Sequence, residues 1–296
     1  MKVPARISLA SLGVIALLFA LGGCATSQSR RIIVGSKNFT EQSILGELLA
    51  QHLERSGFAV DRKLYLGGTL ICHSALVAGG IDLYVEYTGT AYTAILKSKP
   101  ISDPGEVYRQ TRDAYRSRFG VELTEPLGFD NKFVILIRGE TARRLKLTTL
   151  SEAAAFTPQW KAGFGSEFIE REDGFRGLSS TYNFKFAEPP RVMDLGLSYR
   201  ALAEGKIDLI AGDATGGLID SLDLFILKDD KGYFPPYEAV PFVRSQSLDR
   251  HAGLRQALAA LGGKISDTDM RRLNLAVEGE RRDMRAVVGE FLDRLR

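Results

Sequence analysis

Short β-type runs alternate with helical repeats along the chain, and this alternation constrains the fold more than any other feature. Residues 31–35 (RIIVG) form the first run. Later runs follow at 60–66 and 81–85, each after a stretch with apolar residues at helical spacing. Strands separated by helices predict an α/β fold with a parallel sheet that helices cover on both faces.

The first two predicted helices carry signals for their ends. Asn38 is predicted to cap the first helix, with Glu41 returning the hydrogen bond three residues later. Gly57 is predicted to end that helix, because glycine readily adopts the conformation needed after the last turn. Thr69 is predicted to cap the second helix.

One stretch of the chain is echoed further along. Residues 75–83 (ALVAGGIDL) and 201–209 (ALAEGKIDL) each lead from a predicted helix through glycine into a strand. Either the chain holds two similar lobes, or chance produced two copies of a common helix–glycine–strand unit. Tyr87 and Asp213 stand at the same offset beyond the two copies. Open α/β sheets bind ligands beyond the carboxyl ends of their strands, so both residues are predicted to face one cleft.

The N-terminal segment has the features of an export signal. Basic residues precede an apolar run at 7–21, which is short for a membrane span. The run ends in the sequence LGGC, which resembles the lipobox of bacterial lipoproteins. We therefore predict a signal peptide at residues 1–23, lipid on Cys24 and a flexible tether at residues 24–30. An ordinary secretory signal that happens to contain a cysteine is the alternative.

Charge and cysteine content exclude several classes of protein. The formal net charge of the 296 residues is +3, without a basic stripe of interleaved aromatic residues, so nucleic-acid binding is not expected. The chain has two cysteines, and lipid on Cys24 would leave Cys72 without a partner. Because Cys72 lies in an apolar helical stretch, it is predicted to be a buried structural thiol.

Catalytic signatures are absent from the sequence. It contains no GxSxG nucleophile elbow, no phosphate loop and no HExxH motif. The three histidines, His52, His73 and His251, are not grouped with cysteines or acids at metal-ligand spacing. We therefore predict a binding protein with no catalytic residues, no metal and no cofactor, rather than an enzyme.

Several short motifs resemble those of a known family, and they follow that family's order along the chain. They are similar to signatures of the substrate-binding proteins of ABC importers for glycine betaine, choline and proline betaine. The motifs are residues 35–42 (GSKNFTEQ), 66–69 (LGGT), 85–91 (VEYTGTA), 167–174 (EFIEREDG), 229–232 (DDKG) and 235–237 (PPY). Such a set spanning the predicted mature chain is far more specific than any single motif.

The resemblance implies a type II periplasmic-binding-protein fold, with two α/β lobes and a ligand cleft between them. Two crossover segments, Phe133–Arg138 and residues 237–243, are predicted to join the lobes. Residues 31–134 and 239–296 then form lobe 1, and residues 135–238 form lobe 2.

The resemblance also implies a site that binds a carboxylate at one end and a quaternary ammonium at the other. The residues that match the family's carboxylate side are Lys37, Thr90 and Arg171. The residues at or near its aromatic cage are Tyr87, Asn131, Phe133, Asp213 and Tyr237. Aromatic faces attract methylated cations, and basic side chains with hydroxyl donors bind carboxylates.

Three cage positions depart from the family's pattern. Asp213 stands where a tyrosine is usual, Phe133 keeps the ring but lacks the hydroxyl, and Asn131 stands where some members have an aspartate. A carboxylate at position 213 could hold a cation by charge. It could also accept a hydrogen bond from an N–H that glycine betaine does not have.

Purely structural roles are the alternatives for these residues. Lys37 could be a solvated loop lysine, Arg171 could pair with the acids around it, and Asp213 could cap a helix. Tyr87 could serve packing, and Tyr237 could simply begin a strand.

Together these features predict an extracytoplasmic, lipid-anchored receptor, in the periplasm or on the outer face of the cytoplasmic membrane. It is expected to be a monomer that closes on a betaine-like zwitterion and delivers it to an ABC permease with its ATPase. A same-fold receptor for an N–H-bearing cation, such as an imidazole betaine or a basic amino acid, is the alternative. An envelope enzyme or scaffold is a third.

Overall fold

The computed structural model describes residues 31–295. The predicted signal peptide, the lipidated Cys24 and the tether lie outside the described residues. The strands, in chain order, are β1 Ile32–Lys37, β2 Val60–Gly67, β3 Leu83–Tyr87, β4 Val121–Leu123, β5 Phe133–Arg138, β6 Ala162–Phe164, β7 Arg191–Val192, β8 Leu209–Asp213, β9 Leu224–Leu227 and β10 Ala239–Arg244.

The strands form two 5-stranded sheets of equivalent topology, ordered β2-β1-β3-β10-β4 and β7-β6-β8-β5-β9. The predicted parallel pairing holds for β1 with β2 and β3, and for β6 with β7 and β8. Each sheet is nevertheless mixed, because the strand that enters it from the other sheet, β10 or β5, runs antiparallel to both of its neighbours.

The chain passes from the first sheet to the second between β4 and β5, and returns between β9 and β10. The two connections run side by side, since the Asn131 N–H donates to the Tyr237 carbonyl at 3.1 Å and Asp130 forms a bridge with Glu238. The first crossing therefore lies just before the predicted segment Phe133–Arg138, and the second includes the first two residues of the predicted segment 237–243. The lobe boundaries at 134/135 and 238/239 stay a prediction.

Helices cover the sheets. The α-helices are α1 Thr40–Arg55, α2 Thr69–Val77, α3 Thr88–Thr90, α4 Pro104–Phe119, α5 Gly139–Leu145, α6 Leu150–Ala153, α7 Ser166–Glu170, α8 Phe175–Tyr182, α9 Leu195–Ala203, α10 Leu218–Ser221, α11 Ser245–Arg250, α12 Leu254–Ala259, α13 Asp267–Asn274 and α14 Met284–Arg294. Segments Ala91–Ile95 and Leu275–Gly279 are π-helical, and Thr157–Gln159 is a 3₁₀ turn. None of the helices in residues 31–295 is long and apolar enough to span a membrane.

Two of the three predicted helix caps are wrong. Helix α1 is capped by Phe39 rather than Asn38, and α2 is capped by Gly68 rather than Thr69, in neither case through a side-chain hydrogen bond. These two predictions fail because the side chains of Glu41 and Thr69 form hydrogen bonds with groups far along the chain instead of capping their helices. Gly57 follows α1 with φ +90°, as predicted for the residue that ends a helix.

The sequence echo corresponds to matching structural units. Gly79 and Gly205 both have positive φ, 78° and 72°, and lead into β3 and β8. The carboxylate of Asp82 accepts the Ile33 N–H at 2.8 Å. The carboxylate of Asp208 accepts the Lys161 N–H at 3.0 Å. Each aspartate thus ties its strand to the neighbouring one, which confirms two similar units.

Cys72 is a free, fully buried thiol in the apolar cluster on one face of the first sheet, as predicted. Burial raises its pKa to about 12. A thiol that resists ionisation is a poor nucleophile, which agrees with a structural role.

Candidate functional site

A cavity of about 300 Å³ lies where β3 and β8 end. It is at the lower end of the size range of small-molecule sites. All the residues predicted to bind a ligand line it: Lys37, Tyr87, Thr90, Asn131, Phe133, Arg171, Asp213 and Tyr237. The structure therefore brings the predicted set together, and Tyr87 and Asp213 reach one cavity from the two sheets. Their roles toward a ligand stay a prediction.

Lys37 is buried in an ion pair. Its Nζ lies 2.5 Å from Oε1 of Glu86 and 3.3 Å from the hydroxyl oxygen of Thr69, and it sits 4.8 Å from the centre of the Tyr87 ring. The Thr69 hydroxyl in turn donates to Glu167 at 2.5 Å. The alternative that Lys37 is a solvated loop lysine is wrong, because its charge is held inside the protein.

Arg171 also has a carboxylate partner. Its guanidinium binds Asp173 through two nitrogens, at 2.8 and 2.5 Å, and donates to the Thr90 hydroxyl oxygen at 3.1 Å. It stacks 5.1 Å from the Phe133 ring centre and 5.7 Å from that of Tyr237. Burial alone would raise the pKa of Asp173, but Arg171 lowers it below its ordinary value. Arg171 thus pairs with a neighbouring acid and lines the cavity as well.

Glu41 is the centre of a buried network that the sequence did not predict. Its Oε1 accepts from the Tyr87 hydroxyl at 2.6 Å and from the Asn131 amide at 2.8 Å. Its Oε2 accepts from the Asn274 amide at 2.8 Å and lies very close to the Thr215 hydroxyl. The network joins α1 to the end of β8 and to α13, so it connects elements that pack on both sheets.

One proton on Glu41 would satisfy every contact of this network. The Thr215 hydroxyl has a single proton, yet its oxygen is in bonding distance of both Glu41 and Asn131 Oδ1, the latter at 2.8 Å. If Glu41 is protonated, it donates to Thr215, which donates to Asn131, and every contact is satisfied. Burial raises the pKa of Glu41 in the same direction, against the opposing effect of its hydrogen bonds.

Asp213 ends β8 beside Phe133 on β5. Burial is the main cause that raises the pKa of Asp213 to about 8. Its backbone N–H donates to the Tyr199 hydroxyl at 3.0 Å, but within residues 31–295 its carboxylate has no hydrogen-bond partner. The helix-cap alternative is wrong, because the next helix, α10, is capped by Gly217.

The aromatic part of the cavity is built from both sheets and from the returning crossover. Phe133 packs edge-on against Tyr237 at 5.7 Å and against Phe168 at 5.0 Å between ring centres. The Tyr237 hydroxyl donates to Asp173 at 2.6 Å. Tyr87 and Tyr237 therefore pack and hydrogen-bond within the protein while their rings line the cavity.

The cavity wall is rich in carboxylates. Besides Glu41 and Asp213, the lining acids are Glu167, Asp194 and Glu278. No cluster of histidines, cysteines and acids in the described chain is arranged to hold a metal ion. The site can therefore attract a cation and orient it against aromatic rings, with Arg171 and Thr90 available to an anionic group.

Comparison with known proteins identifies a related family. The sequence profile described as "Substrate binding domain of ABC-type glycine betaine transport system" matches residues 30–294. The chain is 31% identical over 280 residues to the carnitine transport binding protein of Listeria monocytogenes, covering 93% of this chain and 90% of that protein.

A second relative and a solved structure extend the comparison. The ergothioneine transport permease/ergothioneine binding protein of Helicobacter pylori strain G27 is 34% identical over 269 residues. The match covers 90% of this chain but 48% of that relative, so this chain spans about half of its length. The crystal structure of a glycine betaine/carnitine/choline ABC transporter protein matches with a TM-score of 0.75 and 32% identity, over 89% of this chain and 98% of that one. The two-lobed α/β fold is thereby confirmed.

Proposed function

The chain belongs to the family of substrate-binding domains of ABC-type glycine betaine transport systems, and from this premise we propose that it is a solute receptor for a small zwitterion with a cationic nitrogen and a carboxylate. Members of this family are the solute-binding components of importers, so the receptor delivers its solute to an ABC permease with its ATPase. The two crossovers between the sheets provide the hinge about which the lobes close.

The observation that carries this proposal is the presence of aromatic rings, acids and a buried arginine around one cavity. The rings of Tyr87, Phe133 and Tyr237 line it, and each cation–π contact contributes about 0.5–2 kcal/mol depending on desolvation. Arg171 faces the same space and donates to Thr90. Because Thr90 uses its oxygen to accept that bond, its own proton is available to a ligand carboxylate.

The charge balance supports a cationic group on the solute. Lys37 and Arg171 each have an internal carboxylate partner, Glu86 and Asp173. The acids on the wall outnumber the basic residues there, so the cavity favours a ligand with a positive nitrogen.

Asp213 supports a second candidate, a solute whose cationic group bears N–H donors. Its carboxylate has no protein hydrogen-bond partner in residues 31–295 and stands where the family usually has a tyrosine. The Helicobacter pylori relative is named as an ergothioneine binding protein, which supports a solute other than glycine betaine.

The location follows from the predicted N-terminus. We propose that signal peptidase removes residues 1–23, that Cys24 carries lipid, and that the receptor works as a monomer at the outer side of the cytoplasmic membrane. Metabolic labelling with a radioactive fatty acid tests this, and the Cys24→Ala variant should lose both the label and the membrane association.

Thermal unfolding in the presence of candidate solutes tests the function. A ligand that binds the folded state raises the Tm by mass action, so micromolar binders are detected. The panel contains glycine betaine, choline, carnitine, an imidazole betaine, arginine and lysine, with glucose as an uncharged control. Stabilisation by one or more zwitterions supports the proposal. A panel in which no zwitterion or cation raises the Tm would contradict it.

A further inference from the structure

The cavity contains a second polar region, around Asn274 and Asp213, that offers hydrogen-bond acceptors. It consists of the Asn274 amide at the end of α13, the Asp213 carboxylate at the end of β8 and the Glu278 carboxylate in the π-helical segment. We propose that this region binds the N–H donors of the solute's cationic end. The inference rests on the proposed function and names the class of substrate.

The orientation of the Asn274 amide follows from its neighbours. Its Nδ2 donates one proton to Glu41 and the other to the Thr215 carbonyl, both at 2.8 Å. Exchanging the nitrogen and oxygen would set the amide oxygen against the Thr215 carbonyl, an acceptor that has no proton to donate. The Oδ1 atom is therefore fixed as the free end of the side chain.

Asn274 Oδ1 is a buried acceptor without a partner in the described part of the chain. The residue is only 4% exposed and lines the cavity. Buried polar atoms are almost always hydrogen-bonded, because a buried atom without a partner has lost its hydration and gained no hydrogen bond in exchange. A donor supplied from the cavity would satisfy it.

Asp213 provides the charge in this region when a bound cation favours its ionised form. Its carboxylate lines the same cavity and accepts no hydrogen bond within residues 31–295. The groups that act on it electrostatically are Glu41, Lys37, Glu167 and Glu278, of which only Lys37 is basic. A cation with N–H groups provides both a positive charge and hydrogen-bond donors, whereas a quaternary ammonium provides the charge but no donor.

The backbone around Gly217 holds Asn274 in place. A Cβ atom at Gly217 would overlap the backbone nitrogen of Leu275, so only glycine allows the loop after β8 to approach α13 this closely. The helix then widens into the π-helical segment that carries Glu278. Such π-turns often occur at functional sites, and this one carries Glu278, which lines the cavity.

These contacts specify the chemistry of the solute. It is a zwitterion whose cationic end presents at least two N–H donors, as a guanidinium or a protonated ring does, and whose carboxylate is bound near Arg171. A trimethylammonium at the same place would leave both Asn274 Oδ1 and Asp213 without a donor.

Matched pairs of zwitterions test this inference by calorimetric titration of the purified protein. Guanidinoacetate is compared with glycine betaine, and 4-guanidinobutyrate with 4-trimethylammoniobutyrate, so that charge and chain length are matched while N–H donors differ. We expect the guanidinium member of a pair to bind at least about tenfold more tightly, because the alternative leaves buried acceptors unpaired. The Asp213→Asn variant should reduce this preference to about twofold or less.

The Asp220→Asn variant is the control, since Asp220 is an exposed residue on α10 away from the cavity and should leave the preference unchanged. Glu278→Gln provides a second variant of the region. Equal or tighter binding of the trimethylammonium members by the unaltered protein overturns the inference, while the proposed function survives. A preference that Asp213→Asn leaves unchanged also overturns it. Failure of every zwitterion to bind is a different result, which counts against the proposed function itself.

Discussion

Lys37 and Glu86 form a buried ion pair, with 2.5 Å between Nζ and Oε1 and almost no exposure of either side chain. Glu86 also accepts from the Tyr84 hydroxyl at 3.0 Å and from the Tyr87 backbone N–H at 2.8 Å. The pair therefore fixes the end of β3, where Tyr87 meets the cavity. Lys37, which the family resemblance assigned to the ligand, is thus also a structural residue.

Removing one member of this pair should destabilise the protein strongly. Glu86→Gln leaves the Lys37 ammonium buried without its counter-charge, and we expect the free energy of unfolding to fall by about 3–5 kcal/mol. Urea denaturation at pH 7 measures it. The double variant Lys37→Met/Glu86→Gln should recover most of the loss. Glu290→Gln, which breaks an exposed pair with Arg282, should cost less than about 1 kcal/mol.

Gly217 is expected to be intolerant of any side chain. Gly217→Ala would force the loop after β8 away from α13, moving Asn274 relative to Glu41. We expect a clear drop in Tm and a loss of solute binding, measured by thermal unfolding with and without ligand. Gly68→Ala is the comparison, because a Cβ at Gly68 meets no atom within 4 Å. A Gly217→Ala protein as stable as Gly68→Ala would contradict the prediction, because the loop would then accommodate the added Cβ without loss of stability.

The sequence predicted residues that line the cavity, and most of them belong to short motifs. The strand-end rule located Tyr87 and Asp213, and the family resemblance added the other predicted residues, all of which line the cavity. The similar topology of the two sheets was also visible in the repeated helix–glycine–strand unit. These features depend on local sequence, so a single chain is enough to recognise them.

The residues that the sequence missed take part in long-range contacts. Glu41 has the spacing of a capping-box residue, and that local pattern predicted a bond to the backbone. In the structure it binds Asn131 and Asn274, which lie 90 and 233 positions away. Asn274 and Glu278 belong to no recognised motif and reach the cavity through the packing of α13. Local periodicity carries no information on such partners.

Asp213 should make stability depend on pH. Its pKa is raised to about 8 in the folded protein, mainly by burial, so between about pH 4 and 8 the folded state holds a proton that the unfolded chain has lost. Stability contributed by this group is therefore present at low pH and declines as the pH rises through 8. Asp213→Asn removes the decline, and its Tm should exceed that of the unaltered protein by more at pH 8 than at pH 5. An equal difference at both pH values would contradict the prediction.

Binding of a cationic solute should release a proton below pH 8. A positive group beside Asp213 favours the ionised carboxylate and so lowers the pKa from about 8. Affinity should rise from pH 6 to pH 8 and then level off. Titration calorimetry at pH 7 in buffers of different ionisation enthalpy should give up to about one proton released per solute bound, and none for Asp213→Asn. The acids Glu41, Glu167 and Glu278 act on the same carboxylate, so residual release by the variant would assign the proton to one of them.

Arg171 should govern binding of the solute's carboxylate rather than of its cationic end. Its guanidinium lines the cavity beside Thr90, and it forms charge-assisted hydrogen bonds that a neutral side chain cannot replace. Arg171→Gln should weaken binding of a carboxylate-bearing betaine by about 10- to 100-fold, since a charged hydrogen bond contributes roughly 1.5–3 kcal/mol. Binding of choline, which has no carboxylate, should change by less than about threefold. Titration calorimetry with both compounds makes the comparison.

The double variant Arg171→Gln/Asp173→Asn separates this binding role from the structural one. Arg171→Gln alone leaves Asp173 buried with hydroxyl donors from Tyr237 and Thr93 but without its cation, so stability should fall. Neutralising Asp173 as well removes the unpaired charge, and the Tm should recover. The weakened binding of the carboxylate-bearing betaine should persist in the double variant. Recovery of binding together with stability would mean that Arg171 acts only by holding Asp173 in place, and that another donor receives the carboxylate.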